Sequence, residues 1–324
     1  MSISPFGLLL GGQGTQYKGM CSELAGKYKS TSEILTLASE VLGIDVTDVL
    51  NTYSMQQLTL SDNAQPLVVT ASCAFYAAFV EQYNTAPSFM CGHSLGEISA
   101  LICSGALDFR DGLDFVNKRG RVMQKLVVKE FKGSVGIVLD IDQKDLENII
   151  AEKLEGGYAV ITAYNSNRQF LVAGEPSAMK TLEKHLDKKG SQLIPYRMIP
   201  MRTDAPYHSE LASPLMSEIA ELTDKLHIND MKVPVYSTVT GKLHEKKKIA
   251  SVLVDQLKMP VLWMQTVANG VKDFRADFLV EIGPGNTMRN IIRESDGFPT
   301  CLSYDEAEDE SELCGLMQKI IAWS

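Results

Sequence analysis

Gly92-His-Ser-Leu-Gly96 constrains this chain more than any other stretch, because of where it sits. An apolar run, Ser88 to Cys91, precedes it, and helical periodicity begins at Glu97. Glycine two positions before and after a serine fits the G-x-S-x-G turn, in which a strand reverses sharply into a helix. The serine is held in a strained conformation that pushes its hydroxyl outward, and the glycines leave room for neighbouring backbone. The following helix supplies oriented N–H groups, so the amide of Leu95 can stabilise a developing oxyanion. On its own the pentapeptide reads equally well as a small-residue turn; its place between a buried strand and a helix gives it force.

The same alternation recurs along the chain and predicts an α/β fold. Phe6 to Leu10 reads as a strand running into the glycine-rich turn Gly11-Gly-Gln-Gly14, with helical patterns following to about residue 83. Residues 131–198 differ. Strand-like segments at Gly133 to Leu139, Tyr158 to Tyr164, Gln169 to Ala173 and Gln192 to Tyr196 are interleaved with two helices. Those helices span Gln143 to Lys153, with Asp142 as N-cap, and Pro176 to Lys189. The order β-α-β-β-α-β predicts a ferredoxin-like subdomain over 131–198, inserted into a larger α/β unit formed by 1–130 and 199–324. Strands are also predicted at Val233 to Ser237 and at Phe278 to Glu281, the latter just before Gly283-Pro-Gly285.

Composition narrows the function. Hydrophobic residues at 45% and charged residues at 22% of 324 are ordinary globular values. The formal charge of −9 argues against nucleic-acid binding, which needs a positive face. No uninterrupted apolar stretch approaches the roughly 18 residues of a membrane span, and the N-terminus lacks the basic region of a signal peptide. The six cysteines show neither CxxC nor Cys/His metal spacing, so free thiols, no metal and a cytoplasmic location are expected. The acidic stretch Asp305 to Glu312 and the run Glu245 to Lys248 read as solvated faces.

A nucleophilic serine needs a base. Of the five histidines, His93 adjoins Ser94 and should point elsewhere, His185 lies in a lysine-rich helix, and His227 and His244 flank polar loops. His208 enters a helix from a loop stiffened by Pro206 and Tyr207, and is the leading candidate beside the reading of a plain surface loop.

Six segments together carry a resemblance: Gly12-Gln-Gly-Thr-Gln16, Gly92-His-Ser-Leu-Gly-Glu97, Arg119-Gly-Arg-Val-Met-Gln124, Tyr164-Asn-Ser166, Tyr207-His-Ser209 and Gly283-Pro-Gly285. In order and spacing, over nearly the whole chain, they resemble the malonyl-CoA:acyl-carrier-protein transacylase family, which includes polyketide synthase acyltransferases. The resemblance implies the same architecture, an α/β-hydrolase-like large subdomain with an inserted ferredoxin-like small one. It implies Ser94 as nucleophile and His208 as general base, oriented by the main-chain carbonyl of Gln256. It implies the amides of Gln13 and Leu95 as oxyanion hole, Arg119 as clamp for a malonyl carboxylate, and Gln65 and Asn165 as polar lining of the acyl site. Arginine suits that role because its planar fork offers two parallel hydrogen bonds. The implied partners are an acyl carrier protein and malonyl-CoA or another acyl-CoA; CoA is a substrate, and no cofactor is implied.

The chain also departs from the family pattern. Gly11 replaces a proline, Thr15 a serine, Thr238 stands where asparagine is frequent, and Tyr207 where phenylalanine or serine is common. These departures suggest a specialised relative, similar to the free-standing, trans-acting acyltransferases of polyketide pathways such as a bacillaene-type assembly line. Some such relatives are acyl-carrier-protein hydrolases that clear stalled chains, and Ser94 and His208 serve either chemistry. Arg119 discriminates, since a hydrolase of uncharged chains gains nothing from a buried cation. A catalytically silent docking protein is disfavoured while every reacting group is present. For carrier docking, Lys118, Arg121, Lys125, Lys129 and Lys132 offer a basic patch, beside the reading of a solvated helix face. The acylation rate is expected to follow an ordinary histidine titration.

Overall fold

Phe6–Leu10 (β1) is buried at every position, on both faces. A strand without a wet face must be covered on both sides, which a parallel sheet between helical layers provides. The structure is a computed structural model that describes residues 5–128, 133–154, 157–199, 203 and 205–321. Its further strands are β2 (Phe89–Gly92), β3 (Ser134–Leu139), β4 (Ala159–Tyr164), β5 (Gln169–Gly174), β6 (Gln192–Pro195), β7 (Val235–Tyr236), β8 (Phe278–Ile282) and β9 (Thr300–Ser303). β1 runs parallel to β2 on one side, with Leu8 opposite Met90, and to β8 on the other, with Leu8 opposite Val280. β7 and β9 complete a parallel sheet of order β7-β2-β1-β8-β9.

The helix Ser61–Tyr83 is apolar on nearly all sides because it is a core helix packed between other helices and the sheet. It is also the one described helix long and apolar enough to cross a membrane, and 78% of that window is buried inside the fold. Phe79 packs at a tilt against Phe6, and Phe6 stacks on Phe278, which ties this helix to the sheet.

The second sheet is antiparallel with order β4-β5-β3-β6, and two helices, Gln143–Lys153 and Pro176–Asp187, pack on it. This is the order of a ferredoxin-like split β-α-β. The last strand stops at Pro195, one residue early, and a short 3-10 turn follows at Tyr196–Met198. Tyr164 N donates to Val261 O and Val261 N to Thr162 O, tying the edge strand β4 to the loop before the helix Trp263–Phe274. Thr162 and Val261 also line the cavity that contains Ser94 and His208.

Two expectations are corrected, and one strand was not anticipated. The strand expected over Val233 to Ser237 shrinks to Val235–Tyr236, since Pro234 has no N–H to donate. β9 carried no strand signal because only four residues pair, against β8 alone. The acidic stretch is not uniformly solvated: Asp309 is buried and accepts from Arg289, Arg293 and the amide of Ser303. All six cysteines are free thiols.

Candidate active site

Ser94 sits between β2 and the helix Leu95–Cys103, at φ 53° and ψ −113°. Such a backbone is costly for a residue with a side chain and persists only where the surroundings enforce it. They do so through close packing. A Cβ on Gly92 would lie 2.0 Å from the carbonyl carbon of Gly96, and one on Gly96 would lie 2.3 Å from Leu10 O. The turn therefore presses against the end of β1, and His93 N donates to Leu10 O at 2.9 Å. In the neighbouring turn, a Cβ on Gly11 would lie 2.7 Å from the Thr15 methyl. The two departures at Gly11 and Thr15 thus compensate: the threonine occupies space that a larger residue at 11 would need.

Ser94 Oγ lies 2.6 Å from His208 Nε2. The other ring nitrogen, Nδ1, is 3.1 Å from the carbonyl oxygen of Met259. A carbonyl can only accept, so Nδ1 carries the proton and Nε2 is left bare to accept from the serine. The orienting bond thus comes from Met259 rather than from Gln256, the position expected. The chain turns at 256–260, Met259 N donating to Asp255 O, and this aims the Met259 carbonyl at the ring. The Gln256 carbonyl adds a second, weaker pull on the imidazole. His208 itself has φ 59°, so both reacting residues occupy the left-handed half of backbone space.

Burial lowers the His208 pKa to about 4, and His93 and Arg119 nearby push in the same direction; the Met259 and Gln256 carbonyls oppose it. The ring is half-buried and lines the cavity, and desolvation by the surrounding protein is the largest cause of the shift. The ring is therefore neutral well below the ordinary histidine range, which corrects the expected titration.

Gln13 and Leu95 both line the cavity beside Ser94. Leu95 opens its helix, where amides have no intrahelical partner, and neither it nor the Gln13 amide has a backbone acceptor among the described residues. The Gln13 side chain is tethered through Nε2 to Ser61 Oγ (3.1 Å) and Thr203 Oγ1 (2.8 Å).

Arg119 projects from the helix Phe109–Val128 and is 2% exposed. Gly120 beside it makes the approach possible: a Cβ there would lie 2.7 Å from Ser61 O on the facing helix. Its guanidinium donates to Gln65 Oε1 at 2.7 Å and to Gln256 Oε1 at 3.1 Å. Both partners are neutral amides, Nε has no partner, and no carboxylate pairs with it among the described residues. Burial lowers its pKa to about 10, so it remains charged at neutral pH. The cavity, about 290 Å³, thus holds the candidate nucleophile and base and a cation with no carboxylate in direct contact among the described residues, the buried Glu97 acting on it across Gln256.

Asn165 is buried and lines the same cavity, but its Oδ1 pairs with His93 Nε2 at 2.9 Å. His93, expected to point elsewhere, lines the cavity and packs against Trp263. The side chain of Gln256 was also missed. Its Nε2 donates to Ser94 O at 3.1 Å while its Oε1 faces Arg119, so it bridges nucleophile and cation. Tyr207 pairs with Ser61 Oγ at 2.7 Å, which fixes the residue before the base. Of the basic patch, Lys118 pairs with Asp114 and Lys125 with Glu218, Arg121 is exposed, and Lys129 and Lys132 lie outside the described residues.

A strained serine, a bare imidazole nitrogen at hydrogen-bond distance and two free amides define a serine acyltransferase-type site on an α/β scaffold. A family model for the acyl transferase domain matches residues 9–319. The chain is 32% identical to the malonyl CoA-acyl carrier protein transacylase of Bacillus subtilis, covering 90% of each, and 30% identical to that of Haemophilus influenzae, covering 94% of this chain and 96% of the relative. The crystal structure of a malonyl CoA-acyl carrier protein transacylase from Clostridium perfringens superposes with TM-score 0.90 at 27% identity, over 99% of both chains. A malonyl-transacylase solved in complex with a type II polyketide synthase acyl-carrier protein gives TM-score 0.88 at 26% identity, over 99% of this chain and 100% of that one. The chain belongs to the malonyl-CoA–acyl carrier protein transacylase family and is an acyltransferase.

Proposed function

We propose that this enzyme moves a malonyl group from CoA to the phosphopantetheine thiol of an acyl carrier protein, in polyketide or related secondary metabolism. Ser94 Oγ attacks the thioester carbonyl as its proton passes to His208 Nε2. The amides of Gln13 and Leu95 receive the negative charge of the tetrahedral intermediate. On its collapse the C–S bond breaks, and the CoA thiolate leaves with the proton from His208. The carrier thiol then gives its proton to His208 and attacks the malonyl-Ser94 ester; the ester C–O bond breaks and Ser94 Oγ takes the proton back from His208, restoring free serine. Ser94, His208 and the amides supply every group these steps require, so no metal or redox cofactor is needed and CoA enters as a substrate.

The observation that carries this reading is Arg119, a buried cation in the cavity whose hydrogen bonds go to the side-chain amides of Gln65 and Gln256. Glu97 acts on this cation only across the Gln256 amide, and a buried cation favours a directly paired carboxylate, which a dicarboxylic acyl donor supplies. A hydrolase of uncharged chains would require Arg119 to be paired within the protein. The transacylases it is similar to act on malonyl-CoA and acyl carrier protein by name, and one is bound to a polyketide carrier. The departures at Gly11, Thr15, Thr238 and Tyr207 favour the specialised pathway. Free thiols and the burial of the Ser61–Tyr83 helix fit a cytoplasmic enzyme. The test is intact mass after mixing with malonyl-CoA, followed by a panel of fatty-acid and polyketide carrier proteins. A malonyl adduct on Ser94 that is discharged to a polyketide carrier is expected. Release of free acid without a carrier would overturn the transferase.

A further inference from the structure

The residue after the elbow's second glycine, Glu97, is fully buried and takes no part in the chemistry described above. Its carboxylate is saturated with donors. Oε1 accepts from His244 Nε2 at 2.8 Å; Oε2 accepts from Thr238 N (2.9 Å), Thr238 Oγ1 (2.6 Å) and Gln256 Nε2 (3.5 Å). Burial raises the Glu97 pKa, but the His244 and Thr238 bonds more than offset it, and the carboxylate titrates below its ordinary range. His244, expected on a polar loop, is instead drawn inward: its amide donates to Val235 O, and its ring has no other hydrogen-bond partner among the described residues than Glu97. A carboxylate only accepts, so Nε2 carries the proton.

This arrangement reaches the acyl site through one amide. Gln256 can lie either way round, and Arg119 tolerates only one of them. With Oε1 toward the guanidinium a hydrogen bond forms; with the NH₂ there, donor faces donor. The orientation is selected by acceptors on the far side, Ser94 O and Glu97 Oε2. We propose that His244 is a positioning residue for acyl-donor selectivity: it holds the Glu97 carboxylate whose Oε2 locks the Gln256 amide, so that Gln256 turns its oxygen toward Arg119. Thr238, the departure from asparagine, contributes two of the four donors that hold the carboxylate. The effect reaches donors that engage Arg119 and spares those that do not. It rests on the malonyl reading above.

The test measures acylation of Ser94 from malonyl-CoA and from acetyl-CoA by quenched intact mass, with the folded fraction checked by thermal unfolding. His244→Asn keeps a polar side chain but is too short to donate to Oε1; His244→Gln reaches it. His244→Asn should lower the malonyl-to-acetyl rate ratio about tenfold, the worth of one hydrogen bond to a charged group, mainly by raising the malonyl-CoA concentration needed for half-maximal rate. His244→Gln should recover the ratio to within about threefold of wild type. In an Arg119→Ala background His244→Asn should leave the ratio unmoved. If His244→Asn does not fold, His244→Leu in its place reads the same loss. Equal loss for both donors, or an unchanged ratio in a folded variant, overturns the proposal. A wild-type enzyme that takes no malonyl overturns the functional reading instead, so the two failures are told apart.

Discussion

Replacing Arg119 by alanine should convert a malonyl-selective enzyme into one that discriminates poorly. The guanidinium has five N–H groups, and two of its bonds go to Gln65 and Gln256, leaving donors for a carboxylate. With only 2% of its surface exposed, water cannot substitute for a lost partner. Truncating one side of a buried, hydrogen-bonded charge pair costs about 2–5 kcal/mol. Because the ligand-free cation is already disfavoured by burial, as its pKa of about 10 shows, malonyl binding relieves a penalty that alanine never has. The middle of that range, about 3.5 kcal/mol, corresponds to a fall of roughly 300-fold in the malonyl-to-acetyl ratio of acylation rates. Arg119→Lys should fall between, since a point charge cannot keep Gln65, Gln256 and a carboxylate together. The assay is rapid-quench intact mass with each donor, on protein shown to be folded. A ratio unchanged in folded Arg119→Ala would refute the assignment of Arg119 to the acyl carboxylate.

The remaining predictions concern the elbow and the base. Ser94→Ala should leave no acyl adduct after incubation with malonyl-CoA, and an adduct on any cysteine would reassign the nucleophile. His208→Ala should slow acylation by about 100- to 10,000-fold, read from single-turnover rates. With its folded pKa near 4 against 6.5 in the unfolded chain, neutral His208 should keep acylation flat from pH 8 to about 5.5 and let it fall only as pH approaches 4. The same shift favours the folded state above pH 6.5 and loses that contribution as pH falls from 6.5 to about 4; a rate midpoint near 6.5 would contradict it. Gly96→Ala, whose Cβ would meet Leu10 O at 2.3 Å, should destabilise the fold by about 3 kcal/mol or more, and an unchanged melting temperature would show that the turn can relax.

Ser94 was legible because its surroundings are local. Gly92, Gly96 and the flanking apolar and helical runs lie within a dozen residues, and their spacing alone requires a strand, a tight turn and a helix. The β-α-β-β-α-β order of residues 134–195 was legible for the same reason: alternation of periods marks each element where it stands. His208 was harder. Its loop carries little pattern, and only the resemblance raised it above the other histidines. The Met259 carbonyl could not be read from side-chain types at all, since every residue has one.

What tertiary structure decided is which distant polar groups share a desolvated volume. Gln65, Arg119 and Gln256 come from three helical segments, and nothing in their own stretches distinguishes an inward arginine from the exposed Arg121 two positions on. His93 and His244 were misread for the same reason: one was expected to point away from Ser94 and the other to flank a polar loop, yet the first lines the cavity and the second is buried against Glu97. By itself the sequence determined the α/β class, the elbow and the candidate nucleophile, because backbone sterics and hydrophobic period act over a few residues. Protonation states, the orienting carbonyl and the polar partners of the site were decided by the fold, because they depend on the loss of water and on partners as many as 190 residues apart.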